Sequence, residues 1–118
     1  MTIPVTVVEL PIFQRQARDV WDDAEREVFI DYIARNPEAG DVIPETGGVR
    51  KVRWTRQGSG KRGGTRIVYF YHDMQVPLFL ILVYAKAQRE DMTPDQKKQV
   101  RTLAAVLKQG NRRKESGT

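Results

Sequence analysis

The sequence predicts an α+β fold: a small antiparallel sheet with helices packed on one face. Three observations predict it. Four segments carry β-branched runs, period-2 alternation or a short apolar run, the marks of strands. The last three of these follow one another through short connections, which suits an antiparallel meander. Apolar residues at 3.6 spacing occur once before the meander and once after it, so helices flank the sheet. The order read is β-α-α-β-β-β-α, and a chain of 118 residues is large enough for one core but not for two. A single domain is expected over residues 1–110, with a basic, flexible tail over 111–118.

Residues 5–10 (VTVVEL) are β-branched and form the first expected strand. Pro11 then suits a first helical turn, and Phe13, Ala17, Val20 and Trp21 recur at helical spacing. Ala24, Val28, Phe29, Tyr32 and Ile33 continue that period, with Asp22 or Asp23 available to cap a second helix and Asn36-Pro37 to end it. Residues 38–48 read as a loop punctuated by Gly40, Pro44 and Gly47-Gly48. From Val49 to Thr55 the chain alternates, placing Val52 and Trp54 on one face and Lys51 and Arg53 on the other, with Arg50 on the apolar face or at its rim. A glycine-rich basic hairpin follows, then a strand over 66–72 whose faces are Arg66, Val68, Phe70, His72 and Ile67, Tyr69, Tyr71. Residues 77–86 are almost wholly apolar and read as a central strand. Thr93-Pro94-Asp95-Gln96 opens the last helix with a capping threonine, proline in the first turn and glutamine three residues after the cap. Val100, Leu103, Ala104 and Leu107 form its apolar stripe, and Gly110 is expected to end it.

Charge is segregated along the chain. Residues 1–49 hold 4 Lys/Arg against 10 Asp/Glu, whereas residues 50–118 hold 16 against 5. Seven of those cations fall between Arg50 and Arg66 with no intervening carboxylate. A cationic face of this kind suits a polyanion. The chain has no cysteine, which removes disulfides and thiolate chemistry, and its single histidine, His72, cannot build a zinc site alone. No apolar run reaches the ~18 residues of a membrane span, and no signal-peptide pattern opens the sequence, so a cytoplasmic protein without a membrane partner is expected.

Gly58-Ser59-Gly60-Lys61-Arg62-Gly63 spells G-x-G-x-x-G, but a strand follows it where a dinucleotide site needs a helix. The segment is better read as a hairpin whose Lys61 and Arg62 grip a nucleic-acid backbone. Tyr69, Tyr71, Phe79 and Tyr84 suit core packing, with a tyrosine available to stack on a base. Lys51, Arg53, Arg66 and Lys86 sit where adjacent antiparallel strands could gather them in a concave patch. RNA brings its own nucleophile, the 2′-hydroxyl. A site that removes its proton, neutralises the phosphorane and assists the leaving 5′-oxygen could cut RNA with cations alone, without metal or cofactor.

Four motifs together resemble the HigB branch of the RelE/ParE toxin superfamily. They are Gly40-Asp41-Val42-Ile43, Gly47-Gly48-Val49-Arg50-Lys51-Val52-Arg53, Gly60-Lys61-Arg62-Gly63-Gly64-x-Arg66-x-x-Tyr69 and Val83-Tyr84-Ala85-Lys86. The resemblance spans roughly residues 5–109. It implies the toxin of a type II toxin–antitoxin system that enters the ribosomal A site and cuts mRNA. Its implied partners are a HigA-like helix-turn-helix antitoxin, the 70S ribosome with its 16S rRNA, and mRNA. By position, Lys51 or Arg53 matches a base or phosphate clamp, Arg66 the arginine that stabilises the transition state, and Lys86 the group that serves the leaving oxygen. Arg50, Arg56, Lys61, Arg62 and Tyr84 are the expected RNA and ribosome contacts. Ala87 to Met92 offers no tyrosine or histidine for base stacking, a departure from several relatives. Gyrase-poisoning ParE members share the fold, so a gyrase inhibitor and a non-catalytic RNA-binding protein are the alternative readings.

Overall fold

A computed structural model describes residues 3–55, 64–85 and 92–116. In chain order its elements are β1 (Val7–Glu9), α1 (Pro11–Val20), α2 (Asp23–Arg35), β2 (Asp41–Val42), β3 (Val49–Trp54), β4 (Thr65–Phe70), β5 (Leu78–Ala85) and α3 (Pro94–Ser116). The strands form one sheet in the order β1-β5-β4-β3-β2. The expected meander is present: β3, β4 and β5 pair antiparallel. β1 runs parallel to β5, with Val7 opposite Leu78 and Glu9 opposite Leu80, and the helical hairpin carries the chain from β1 to β2 at the far edge. Among the described residues no strand lies beside that edge of β5 beyond Leu80, and Gln16 of α1 reaches across so that its Oε1 accepts the Val83 N–H at 3.0 Å.

The helical hairpin forms as its sequence dictates. Asp22 is the cap: its carboxylate accepts the Glu25 N–H at 2.8 Å. Phe13 and Ala17 of α1 and Phe29 and Ile33 of α2 are fully buried, and they pack with Val52, Ile67, Tyr69, Leu80 and Val83 of the sheet. Each of the larger ones, Phe13, Phe29 and Ile33, contributes on the order of 1.5–3 kcal/mol by leaving water. The rings are in contact, Trp21 with Phe29 at 5.2 Å and Phe29 edge-on to Trp54 at 5.4 Å.

Helices do not pack on one face alone. Val100 and Ala104 of α3 are buried with Val49, Val68, Phe70, Ile81 and Leu82, the residues of the opposite face. The reason is visible in the register. Val68 pairs with Leu82, whereas Tyr69 pairs with Leu80, so Ile81 is the extra residue of a bulge. Ile81 and Leu82 both join the core beneath α3. A face carrying that much apolar surface needs a cover, and the stripe on α3 supplies it.

Three further points differ from expectation. The loop over 38–48 contains a short strand, β2, whose Asp41 and Val42 pair with Lys51 and Arg50. Its return to β3 is a tight turn around the buried Thr46, whose hydroxyl donates to Ile43 O at 2.6 Å and accepts the Val49 N–H at 3.2 Å. The turn also holds Glu45 and Gly47 at φ values of 64° and 77°. The strand at β4 ends at Phe70, leaving His72 in the following loop, where it lies flat against Phe70. Finally, α3 does not stop at Gly110 but continues to Ser116. An interior glycine costs only about 1 kcal/mol relative to alanine, and residues 111–116 are mostly polar helix formers without proline. The expected tail over 111–118 is therefore helical backbone as far as Ser116.

Candidate functional site

Strand alternation decides which basic residues share a face. Arg53 lies directly opposite Arg66 across the β3–β4 pair, and Lys51 lies opposite Val68. Arg66 in turn lies opposite Tyr84 of β5. Side chains at directly paired positions point the same way, so Lys51, Arg53, Arg66 and Tyr84 occupy the α3 face of the sheet. Their exposure is graded. Arg53 is exposed and Lys51 half-buried, whereas Arg66 and Tyr84 are each 5% exposed. A cross-strand Arg–Arg pair is unfavourable for a sheet by itself.

Arg50 is on the other face. Its guanidinium donates to Gly40 O at 2.7 Å and to Glu38 O at 3.4 Å. The Tyr69 hydroxyl works beside it, accepting the Gly40 N–H at 2.8 Å and donating to Pro37 O at 2.8 Å. Together they pin residues 37–40 against the sheet. Burial pushes the Tyr69 phenol up to about 12, against the opposing pull of the Gly40 N–H and of Arg50. Only glycine fits at position 40: a Cβ there would stand 2.9 Å from Lys51 O and from the Tyr69 ring and hydroxyl. Two conspicuous residues of the central motifs, Arg50 and Tyr69, therefore have structural partners away from the cationic face.

Lys86, Arg56, Lys61 and Arg62 lie outside the described residues. Of the four residues expected to act on RNA, the structure thus brings three to one face, Lys51, Arg53 and Arg66. Of the expected contacts it places Tyr84 with them and Arg50 apart. Among the described residues no group of three or more His, Cys, Asp or Glu side chains is placed to hold a metal ion.

The sheet face continues into a cleft. Between β2, the adjoining end of β3 and the beginning of α3 lies a cavity of about 490 Å³ whose lining includes Asp41, Lys51, Met92 and Lys97. Sequence reasoning missed Lys97 and Asp41 because it placed α3 on the other side of the sheet and took residues 38–48 for a loop. The signal that could have found them was the apolar pair Val68 and Phe70 on the same strand face as Arg66, which demanded a cover.

Comparisons with known proteins bear on the family and the fold. The family model described as RelE toxin of the RelE/RelB toxin–antitoxin system matches residues 11–115. A solved structure of an E. coli RelE toxin, a double arginine-to-alanine mutant in the free state, superposes with a TM-score of 0.54 at 17% identity. The match covers 75% of this chain and 90% of that one. No helix among the described residues is long and apolar enough to cross a membrane. An α+β sheet of this order, and a family match running from α1 almost to the end of α3, lead to one assignment: the chain belongs to the RelE toxin family and is the toxin of a toxin–antitoxin system.

Proposed function

We propose that this chain is a ribosome-dependent mRNA endonuclease of the HigB-like branch, acting in the cytoplasm and neutralised by a HigA-like antitoxin. The observation that carries the reading is the pairing of Arg53 with Arg66, with Lys51 two residues along on the same face. In the reaction the 2′-oxygen of the ribose before the cut attacks the adjacent phosphorus. Its proton passes to a base, the P–O5′ bond breaks, and the 5′-oxygen takes up a proton. The products are a 2′,3′-cyclic phosphate and a 5′-hydroxyl. Lys51 or Arg53 serves as base or phosphate clamp, Arg66 neutralises the phosphorane, and Lys86 donates to the leaving oxygen. Donors fixed on strands before the charge develops are worth roughly 10²–10³-fold each in rate. Arg66, almost fully buried, is the one most tightly held.

The test is expression without antitoxin, followed by mapping of transcript 5′ ends. Growth arrest with new ends inside codons at the ribosomal A site is expected. Arg53→Ala and Arg66→Ala should each lower cutting by about 10²-fold or more and restore growth, with circular dichroism showing the fold retained. Intact messages accompanied by chromosome breaks would instead identify a gyrase poison. Ribosome binding without new ends would identify a non-catalytic RNA-binding protein.

A further inference from the structure

We propose that the cleft between β2 and the start of α3 is a subsite for one unpaired nucleotide of RNA. In it Lys97 holds the phosphate and Asp41 selects a base that carries an exocyclic amino group. The inference deepens the nuclease reading and rests on it for the identity of the polymer.

The cleft's volume of about 490 Å³ falls within the ~300–1,000 Å³ typical of small-ligand sites. Its walls have the composition a nucleotide needs. Ile43 and Met92, both packed at the edge of the core beneath α3, give apolar surface for a base. Lys51 belongs both to this cleft and to the face bearing Arg53 and Arg66, so a strand held at that cationic face can run on into the cavity. Asp41 lies directly opposite Lys51 across the β2–β3 pair, which balances part of the lysine's charge. Lys97 is different. It is half-buried on the facing wall and, among the described residues, forms no ion pair. Its backbone N–H donates to Thr93 O at 3.0 Å in the first turn of the helix. A half-buried ammonium facing an apolar-floored cavity suits a phosphate oxygen. An acceptor-only carboxylate on the opposite wall reads amino groups on a base edge, as acidic side chains do with the amino group of cytosine.

The experiment is a titration of the purified chain with cytidine 5′-monophosphate and with uridine 5′-monophosphate, followed by NMR of the Ile43 and Met92 methyl groups. These methyls should shift, with cytidine binding about tenfold more tightly than uridine. Lys97→Glu should weaken both nucleotides about tenfold or more, and Asp41→Asn should remove the cytidine preference while leaving the uridine affinity in place. Methyl groups that do not move, or a Lys97→Glu variant that binds as the parent does, overturn the subsite. Equal affinity for the two nucleotides in the parent overturns the role of Asp41. Mapping of RNA ends in the same variants separates this inference from the one beneath it. A chain that binds nucleotide here but cuts no message keeps the subsite and loses the nuclease reading. One that cuts with a base preference unchanged by Asp41→Asn and Lys97→Glu keeps the nuclease reading and loses the subsite.

Discussion

The two faces of the sheet differ in what surrounds their side chains, and adjacent residues of β3 show how. Val52 and Trp54 point into a continuous aromatic and aliphatic core with α1 and α2, and Arg50, on the same face, spends its guanidinium on backbone carbonyls. Lys51 and Arg53, one step away, point to the side where Arg66 sits opposite and the cleft opens. α3 covers only part of that second side, with Val100 and Ala104 over Val68 and Leu82. On one face Arg50 and Tyr69 bond the backbone of residues 37–40, while Arg50 Nε and Trp54 Nε1 are buried without a hydrogen-bond partner among the described residues. The other keeps cations on a half-covered surface. The comparison teaches that residue type is a poor guide to surroundings here: two arginines three positions apart lie on different faces because successive side chains of a strand point to opposite sides.

Substitutions can break the contrast or sharpen it. The largest expected effect on stability comes from the closed face. Phe29→Ala empties a fully buried site between Trp21 and Trp54 and should cost about 3–5 kcal/mol, read from the urea midpoint. Arg50→Ala and Arg53→Ala form the sharpest pair. The first should lower stability by about 1.5–3 kcal/mol through its lost carbonyl bonds. The second should leave stability within about 0.5 kcal/mol and abolish toxicity. Equal stability losses in the two would dissolve the distinction between the faces. Tyr69→Phe leaves the Gly40 N–H and Pro37 O without their partner and should cost about 1–3 kcal/mol, with RNA cutting retained.

The same residue gives a pH signature. Its folded value of about 12 lies above the unfolded 10.0, so the neutral phenol is favoured by folding. The stability it contributes is complete below pH 10 and is lost as the pH rises toward 12. Subtracting a Tyr69→Phe titration from that of the parent should isolate this fall. The smallest effect is expected at the start of α3. There the Thr93 hydroxyl accepts the Gln96 N–H, and the Gln96 side chain accepts the Thr93 N–H, both at 3.1 Å. Thr93→Ala should cost about 1 kcal/mol.

Much of this was legible in the sequence because the signals were local. Pro11, Asp22 and Thr93-Pro94 each state a helix start in their own chemistry, and the alternation of β3 already separated Lys51 and Arg53 from Val52 and Trp54. What could not be read depends on distant partners. Two residues, Asp41 and Val42, are too few to show a period, and they become a strand only because β3 offers an edge. The bulge at Ile81 changes which residues face α3, yet a run as uniformly apolar as β5 has no period in which to display it. Arg50 looked like part of the cationic strip because its partners are backbone carbonyls of residues 38 and 40, which no composition announces. Gly40 looked like loop punctuation; its requirement comes from the Tyr69 ring and from Lys51 O, both remote in sequence.

The amide of Gln16 on the Val83 N–H has a consequence for solubility. An unfinished flank of a hydrophobic strand is a template for a foreign strand, and chains in a crowded, freshly translated pool can zip together along it. With a glutamine already seated on that rung, an intruder must first evict it. Removing that plug should leave the protein folded but more prone to clump while it is being made.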